Sequence, residues 1–333
     1  MPRSSVRFRL AVAAGLATLA FGGASQAAHH AKGHEVTPAC GKVCLEALAD
    51  RYMDALALHD PSRLPWANKV RFSENNVMLR IGDGLWNTIT AKGPQVLKFS
   101  DPLTGQAGWY GVIDQAGTSS YYAMRMKVVD GKIAEVESNI SPAPRSGPGS
   151  GGVIGADPKT FKHYPEMDQV LAPDERVPRN RLVDIANGYF STLQLNDGHI
   201  FTAFDDDCRR LEDGTETAGT KDPNPVFKTA TMSCEAQFKT GAYHMDSAVR
   251  DRDYEVVDEE RGLVMSRAFI DHNGAVVSFK LADGTPSQTR AVVPNTLCML
   301  ELFKIRNGKI WRVEVVHNSV PYAMPSVWRD GDD

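Results

Sequence analysis

Two charged residues lie on strands whose alternation turns them toward an interior, Arg125 and His317. A buried guanidinium stabilises a developing oxyanion, and an imidazole supplies an acid or base near neutral pH. Their placement follows from two hairpins. Asp130-Gly131 and Asn307-Gly308 are strong two-residue turn signals, because a type I′ turn needs positive φ at both central positions. In the second hairpin Trp311, Val313, Val315 and His317 alternate with Arg312, Glu314 and Val316. A simple two-residue turn sets the first group opposite Lys304, Leu302, Leu300 and Cys298, as the buried face. In the first hairpin the same register puts Ala134, Val136, Ser138 and Ile140 inside, opposite Lys127, Arg125, Ala123 and Tyr121, while Glu135 and Glu137 face out. Trp86 and Trp109 are candidates to line that interior with Tyr121, against the plainer reading of core packing.

The elements that hold these residues occur twice. Lys127-Val-Val-Asp-Gly-Lys-Ile-Ala-Glu-Val-Glu137 is echoed by Lys304-Ile-Arg-Asn-Gly-Lys-Ile-Trp-Arg-Val-Glu314, and Tyr52-Met-Asp-Ala-Leu-Ala-Leu-His-Asp60 by Tyr189-Phe-Ser-Thr-Leu-Gln-Leu-Asn-Asp197. A third echo, Ile113-Asp-Gln-Ala-Gly117 against Ile270-Asp-His-Asn-Gly274, keeps the same order, so a whole domain is repeated. Each copy opens on an amphipathic helix: Leu45, Leu48, Tyr52 and Leu56 in one, and Leu182, Ile185, Tyr189 and Leu193 in the other, recur every three or four residues. Short β-rich runs follow, and each copy closes on its hairpin. Helix first and antiparallel sheet after is an α+β pattern.

The 333 residues suffice for two domains, each with its own core. Arg3, Arg7 and Arg9, an apolar run from Leu10 to Phe21 and small residues near Ala27 form a signal-peptide pattern over 1–27. The run is shorter than the about 20 residues of a membrane span. The expectation is an exported protein, periplasmic or secreted, without membrane insertion. Its domains are a flexible tail at 28–39, a first domain at 40–140, a Pro/Gly-rich linker and arm at 141–177, and a second domain at 178–328. Without the three leader arginines, 34 basic residues face 41 acidic ones, which argues against a nucleic-acid partner. Five cysteines in an exported chain permit disulfides and leave one sulfur over. Cys208 with Cys234 is the first choice of bridge; Cys40 and Cys44 either pair or sit together unbonded.

Arg51-Tyr-Met-Asp-Ala-Leu-Ala-Leu-His-Asp60, then Val70-Arg-Phe-Ser-Glu74, then the Gly131-Lys-Ile hairpin, resembles the nuclear transport factor 2-like superfamily, which includes ketosteroid isomerase, scytalone dehydratase and SnoaL-like cyclases. The likeness covers both copies. Arg250-Asp-Arg-Asp-Tyr-Glu-Val-Val-Asp-Glu-Glu-Arg-Gly-Leu263 also resembles an uncharacterised family of two-copy proteins of this fold. The resemblance implies two cones in tandem, each a sheet wrapped on a helix around an apolar pocket. By the isomerase pattern Tyr52 falls at the oxyanion-holding tyrosine and Glu74 at the proton-shuttling carboxylate. The second acid's place lies opposite Val136, where this register has Arg125. Copy two offers Tyr189, Asp206 and His317, with Leu302 at the second acid's place.

Each of these residues has a plainer reading: Tyr52 and Tyr189 as amphipathic helix residues, Glu74 in a polar turn, Arg125 paired or snorkelling, His317 as a satisfied core histidine. His29, His30 and His34 form no ordered metal-ligand set with later residues, and Asp205-Asp-Asp207 lacks the spacing of a calcium loop. Gly-rich phosphate loops and a Gly-x-Ser-x-Gly elbow are missing from the sequence. The expectation is therefore a cofactor-free lyase or isomerase that dehydrates, shifts a double bond or reverses an aldol addition in a small hydrophobic or aromatic molecule. The alternative is an exported binding protein without chemistry. Either could act as a homodimer or as an intrachain pseudo-dimer.

Overall fold

The computed structural model describes residues 40–142, 155–225, 227–289 and 291–329. The expected signal peptide, the tail and most of the Pro/Gly-rich linker lie outside these residues.

Helix α1 (Lys42–Ala57) buries Leu45, Leu48, Tyr52 and Leu56 on one face, at the spacing the sequence carries. Its N-cap Gly41 offers no side-chain acceptor, and a Cys40–Cys44 disulfide closes the first turn instead. The chain leaves the helix through His59, at φ 55°, and Asp60 then caps a short 3-10 turn at Pro61–Arg63 by accepting the Ser62 N–H. The first sheet contains β1 (Trp66–Glu74), β2 (Val77–Met78), β3 (Ile89–Asp101), β4 (Gln106–Gln115), β5 (Thr118–Val129) and β6 (Lys132–Pro142). Its strand order is β2-β1-β6-β5-β4-β3, antiparallel except for the parallel pair β1 and β6.

The second half repeats this order of elements. Helix α2 (Arg179–Leu195) ends on Asn196 in the left-handed region, whose N–H returns to the Thr192 carbonyl. Strands β7 (Phe204–Glu212) and β8 (Thr215–Ala218) precede a short helix α3 (Cys234–Lys239). Then come β9 (Asp246–Asp258), β10 (Leu263–His272), the small hairpin of β11 (Ser278–Lys280) and β12 (Pro286–Gln288), β13 (Asn295–Arg306) and β14 (Lys309–Val320). The second sheet runs β8-β7-β14-β13-β10-β9, with β7 parallel to β14. The protein is thus α+β, with two six-stranded sheets of one strand order. Both expected two-residue turns are present: Asp130 and Gly131 lie at φ 49° and 73°, Asn307 and Gly308 at 53° and 73°.

Each helix packs on one face of its sheet, and both sheets are buried on the other face as well. Leu97, Tyr110 and Tyr121 of the first sheet share a core with Val256, Leu302 and Val316 of the second and with Phe161, Tyr164 and Met167 of the connecting arm. Full burial of each such side chain contributes roughly 1.5–3 kcal/mol. The arm is a string of 3-10 turns at Pro158–Thr160, Pro165–Asp168 and Pro173–Glu175, each opened by proline. His163 ties it to both sheets, with Nδ1 2.6 Å from Glu314 and Nε2 3.2 Å from the Tyr110 carbonyl.

One-residue bulges correct the expected register. Lys127 pairs with Glu135 but Val128 with Ile133, which leaves Ala134 extra; Lys304 pairs with Arg312 but Ile305 with Ile310, which leaves Trp311 extra. An extra residue reverses the alternation of everything beyond it. Val136 therefore faces Met126, not Arg125, and Val313 faces Phe303, not Leu302. Met124, Met126 and Tyr122 join the helix-side core, and Arg125 and Tyr121 turn to the opposite face.

Candidate functional site

Arg125 does not enter the interior of the first half. It lies between the two sheets, donating from Nε to Glu137 at 2.7 Å and from Nη1 to Glu135 at 2.6 Å, with its guanidinium 4.3 Å over the Trp328 ring. Arg267 of the second sheet reaches the same Glu137 at 2.8 Å. Burial opposes the Arg125 charge, but Glu137, Glu255 and Glu135 together hold it firmly protonated. Glu255 of the second sheet lies 3.6 Å from Arg125 Nε and 3.0 Å from Arg267 Nη1, so carboxylates of both halves share these two guanidinium groups and the cluster fastens the halves together. Tyr121 is likewise a seam residue, its hydroxyl donating to the Ala156 carbonyl at 3.1 Å.

The other first-half candidates do gather on the helix side. Tyr52 meets Trp86 edge to face at 5.5 Å, and Trp109 meets Tyr122 at 5.6 Å. The Glu74 carboxylate accepts the Leu85 N–H at 2.9 Å, and burial raises its pKa against that hydrogen bond. Gly84, at φ 62°, backs onto it so closely that a Cβ would lie 2.9 Å from both carboxylate oxygens. Glu74 and Tyr122 influence Tyr52, whose hydroxyl burial keeps protonated. Among the described residues the Tyr122 hydroxyl and the Trp86 indole N–H have no hydrogen-bond partner. Aromatic side chains fill this interior.

In the second half the expected residues separate. Asp206 is exposed, beside a surface hollow of about 260 Å³ lined by Asp205, Ser233 and Lys239. His317 stays on the helix side, opposite Met299, but its Nε2 lies 3.5 Å from the Asp213 carboxylate, which also accepts the Ser141 hydroxyl at 2.7 Å. Burial raises the pKa of Asp213, with His317 opposing. Tyr189 is where the helix pattern puts it, and its partner is a residue that sequence reasoning passed over, Arg210.

Arg210 comes from β7 two residues before Glu212, so both side chains share one face of the strand. Its guanidinium is buried and fully engaged. Nε donates to the Thr217 hydroxyl at 2.9 Å and lies 2.8 Å from Glu212 Oε1. Nη1 donates to the Tyr189 hydroxyl at 3.3 Å, and Nη2 to both Gln237 Oε1 and the Tyr243 hydroxyl at 2.6 Å. Glu301 of β13, turned inward by the bulge, stands near Tyr189 and Glu212. Burial, reinforced by the Glu212 charge, pushes its carboxyl up to about 8 against the pull of Arg210. Burial thus favours the protonated form of Glu301, while Glu212 is paired with a guanidinium. Burial also raises Asp246, whose carboxylate lies 2.9 Å from His272 Nε2.

The segment between β8 and β9 closes this site. A Cys208–Cys234 disulfide fastens α3 to β7, as preferred from sequence, and Cys298 is a buried free thiol. Phe238 of α3 stacks on Phe204 at 5.5 Å and meets Tyr189 at 5.2 Å. The arrangement brings a guanidinium, a phenol and two carboxyls together in one buried cluster, the kinds of group from which proton transfer and oxyanion stabilisation are built. Among the described residues no three His, Cys, Asp or Glu are grouped to hold a metal ion, and no helix is long and apolar enough to cross a membrane.

Residues 175–317, which hold this cluster, match a family described as a domain of unknown function, DUF8021. No curated protein matches the sequence. Among solved structures, a candidate isomerase from Bacillus subtilis is 12% identical with a TM-score of 0.27, over 42% of this chain and 87% of that one. A candidate ketosteroid isomerase from Kribbella flavida is 16% identical with a TM-score of 0.26, over 36% of this chain and 94% of its own. AusH from Aspergillus nidulans is 11% identical with a TM-score of 0.27, over 42% and 86%. At identities this low no neighbour lends its reaction to this chain.

Proposed function

We propose that the chain is an exported, cofactor-independent lyase or isomerase acting on a small hydrophobic or aromatic molecule, with the second half as the reacting unit. The observation that carries this reading is one buried guanidinium, Arg210, bonded to Tyr189 and Glu212 beside Glu301, whose carboxyl burial pushes up to about 8. In the proposed step Glu212 takes a proton from the substrate. Arg210 and Tyr189 hold the resulting enolate or phenolate oxygen, and Glu301 delivers a proton to the rearranged product or to the leaving hydroxyl. A proton passed from Glu212 back to Glu301 resets the pair. Dehydration, a double-bond shift and retro-aldol cleavage all fit this sequence. Two disulfides support an oxidising location.

The test compares wild type with Glu301→Gln and Glu212→Gln on a panel of phenolic and β-hydroxy carbonyl compounds, with solvent-deuterium incorporation followed by mass spectrometry. A loss of about 10²-fold or more in both variants is expected; equal turnover in all three removes the mechanism.

A second reading is a small-ligand carrier without chemistry, for which the aromatic surfaces at Tyr52 with Trp86 and Tyr189 with Phe238 would supply apolar walls. It requires unchanged ligand binding with no turnover in any variant.

A further inference from the structure

The polar cluster of the second half already holds a phenol, and that phenol belongs to the protein. Tyr243 lies in residues 219–245, which join β8 to β9; the corresponding join in the first half is only residues 79–88. Its hydroxyl accepts from Arg210 Nη2 at 2.6 Å and donates to Gln237 Oε1 at 2.7 Å. Its ring leans on Phe238 at 5.3 Å and 35°, while the residue as a whole remains partly open to solvent. The backbone is fastened separately, the Tyr243 N–H to Asn196 Oδ1 at 3.0 Å. With the backbone held there, an outward move of the ring would be a change of side-chain torsions rather than of the segment. Behind it would remain a slot with a flat aromatic wall, one strong donor and one acceptor.

We infer that Tyr243 is a tethered occupant of a phenol-binding site, and that the second half takes a small phenol in its place. This rests on the proposed reading of the Arg210 cluster and names the ligand class. The chemistry is specific. A phenol hydroxyl both accepts from the guanidinium and donates to the Gln237 carbonyl oxygen, as Tyr243 does, whereas a ketone can only accept and a hydrocarbon can do neither. A carboxylate would add a negative charge to a guanidinium that Glu212 already neutralises.

The probe is p-cresol, the tyrosine side chain itself, titrated calorimetrically into the intact protein with toluene as the control lacking a hydroxyl. Wild type is expected to bind p-cresol and to bind toluene about tenfold or more weakly, the worth of one good hydrogen bond. Tyr243→Ala, freed of its internal competitor, is expected to bind p-cresol at least about tenfold more tightly than wild type. Tyr243→Phe keeps the ring and the packing but drops both hydrogen bonds, so it too should bind more tightly than wild type; it serves if the alanine variant does not fold. Binding by Tyr243→Ala with none by wild type would make Tyr243 fixed packing and overturn the inference. Equal affinity in all forms would put the ligand elsewhere and do the same. Failure of the proton-transfer reading shows differently: p-cresol binds as described, yet Glu301→Gln turns over like wild type.

Discussion

Phe72 and Arg210 occupy the same place in the two halves. Phe72 pairs with Val136 and Arg210 with Val313, each two residues before the glutamate that ends its strand, Glu74 or Glu212. One half packs a ring there, and the other buries a charge. The contrast separates an interior closed by aromatic contact from one organised around a guanidinium.

Arg210→Met should destabilise the protein by about 3–5 kcal/mol, because the buried Gln237 and Thr217 and the half-buried Glu212 lose their shared partner. Adding Glu212→Gln to Arg210→Met should recover part of that loss. Urea unfolding of the single and double variants gives the comparison; a single variant within about 0.5 kcal/mol of wild type would show the cluster to be loosely held.

Glu301 makes stability depend on pH. Its carboxyl is raised from an ordinary 4.5 to about 8, so the folded state holds the proton more tightly than the unfolded chain. The contribution is complete below about 4.5 and is lost as pH rises through about 8. Glu301→Gln, which keeps a neutral group, should flatten this fall. Unfolding free energies at pH 5, 7 and 9 measure it, and parallel pH profiles for the two proteins would contradict the assignment.

The two disulfides should differ in worth. Cys208 and Cys234 are 26 residues apart and Cys40 and Cys44 only 4. Loop-closure entropy gives about 3.5 kcal/mol for the longer loop and about 2 for the shorter. Cys208→Ser with Cys234→Ser should therefore lower stability more than Cys40→Ser with Cys44→Ser, and should also loosen α3. Denaturant midpoints rank the two, and hydrogen exchange of the α3 amides reads the loosening.

Trp328 is the aromatic cover of the seam between the sheets. Its indole N–H donates to the Ser73 hydroxyl at 2.9 Å, and the guanidinium groups of Arg71 and Arg125 lie 4.5 and 4.3 Å from its ring. Trp328→Ala should cost about 3–5 kcal/mol. Trp328→Phe, which keeps the cation–π face, should cost distinctly less; equal losses would assign the effect to the indole N–H alone.

Both tight turns, the helix faces and the α+β pattern were legible because each is written in a few neighbouring residues. Asp130-Gly131 states its own geometry. Register was not legible, since nothing near Ala134 or Trp311 announces an unpaired residue, and one such residue sends Arg125 to the seam and Glu301 inward. The echo of Arg71-Phe-Ser-Glu74 in Arg209-Arg-Leu-Glu212 was available, and it aligns Glu212 rather than Asp206 with Glu74. It would have exposed Arg210 as a charge on an inward strand position. Gln237 and Tyr243 carried no comparable signal. They reach Arg210 from a connection that has no counterpart of similar length in the first half, and only the folded chain brings them there.

The connecting arm bears on the order in which the chain matures. Phe161, Tyr164 and Met167 are synthesised after the first sheet and before the second, yet they end in a core built from both. Without the second half, Leu97, Tyr110 and Tyr121 would present a greasy, uncovered wall. A fragment ending near residue 142 should therefore self-associate, and one extended to residue 178 should do so less, because the arm then serves as a temporary shield.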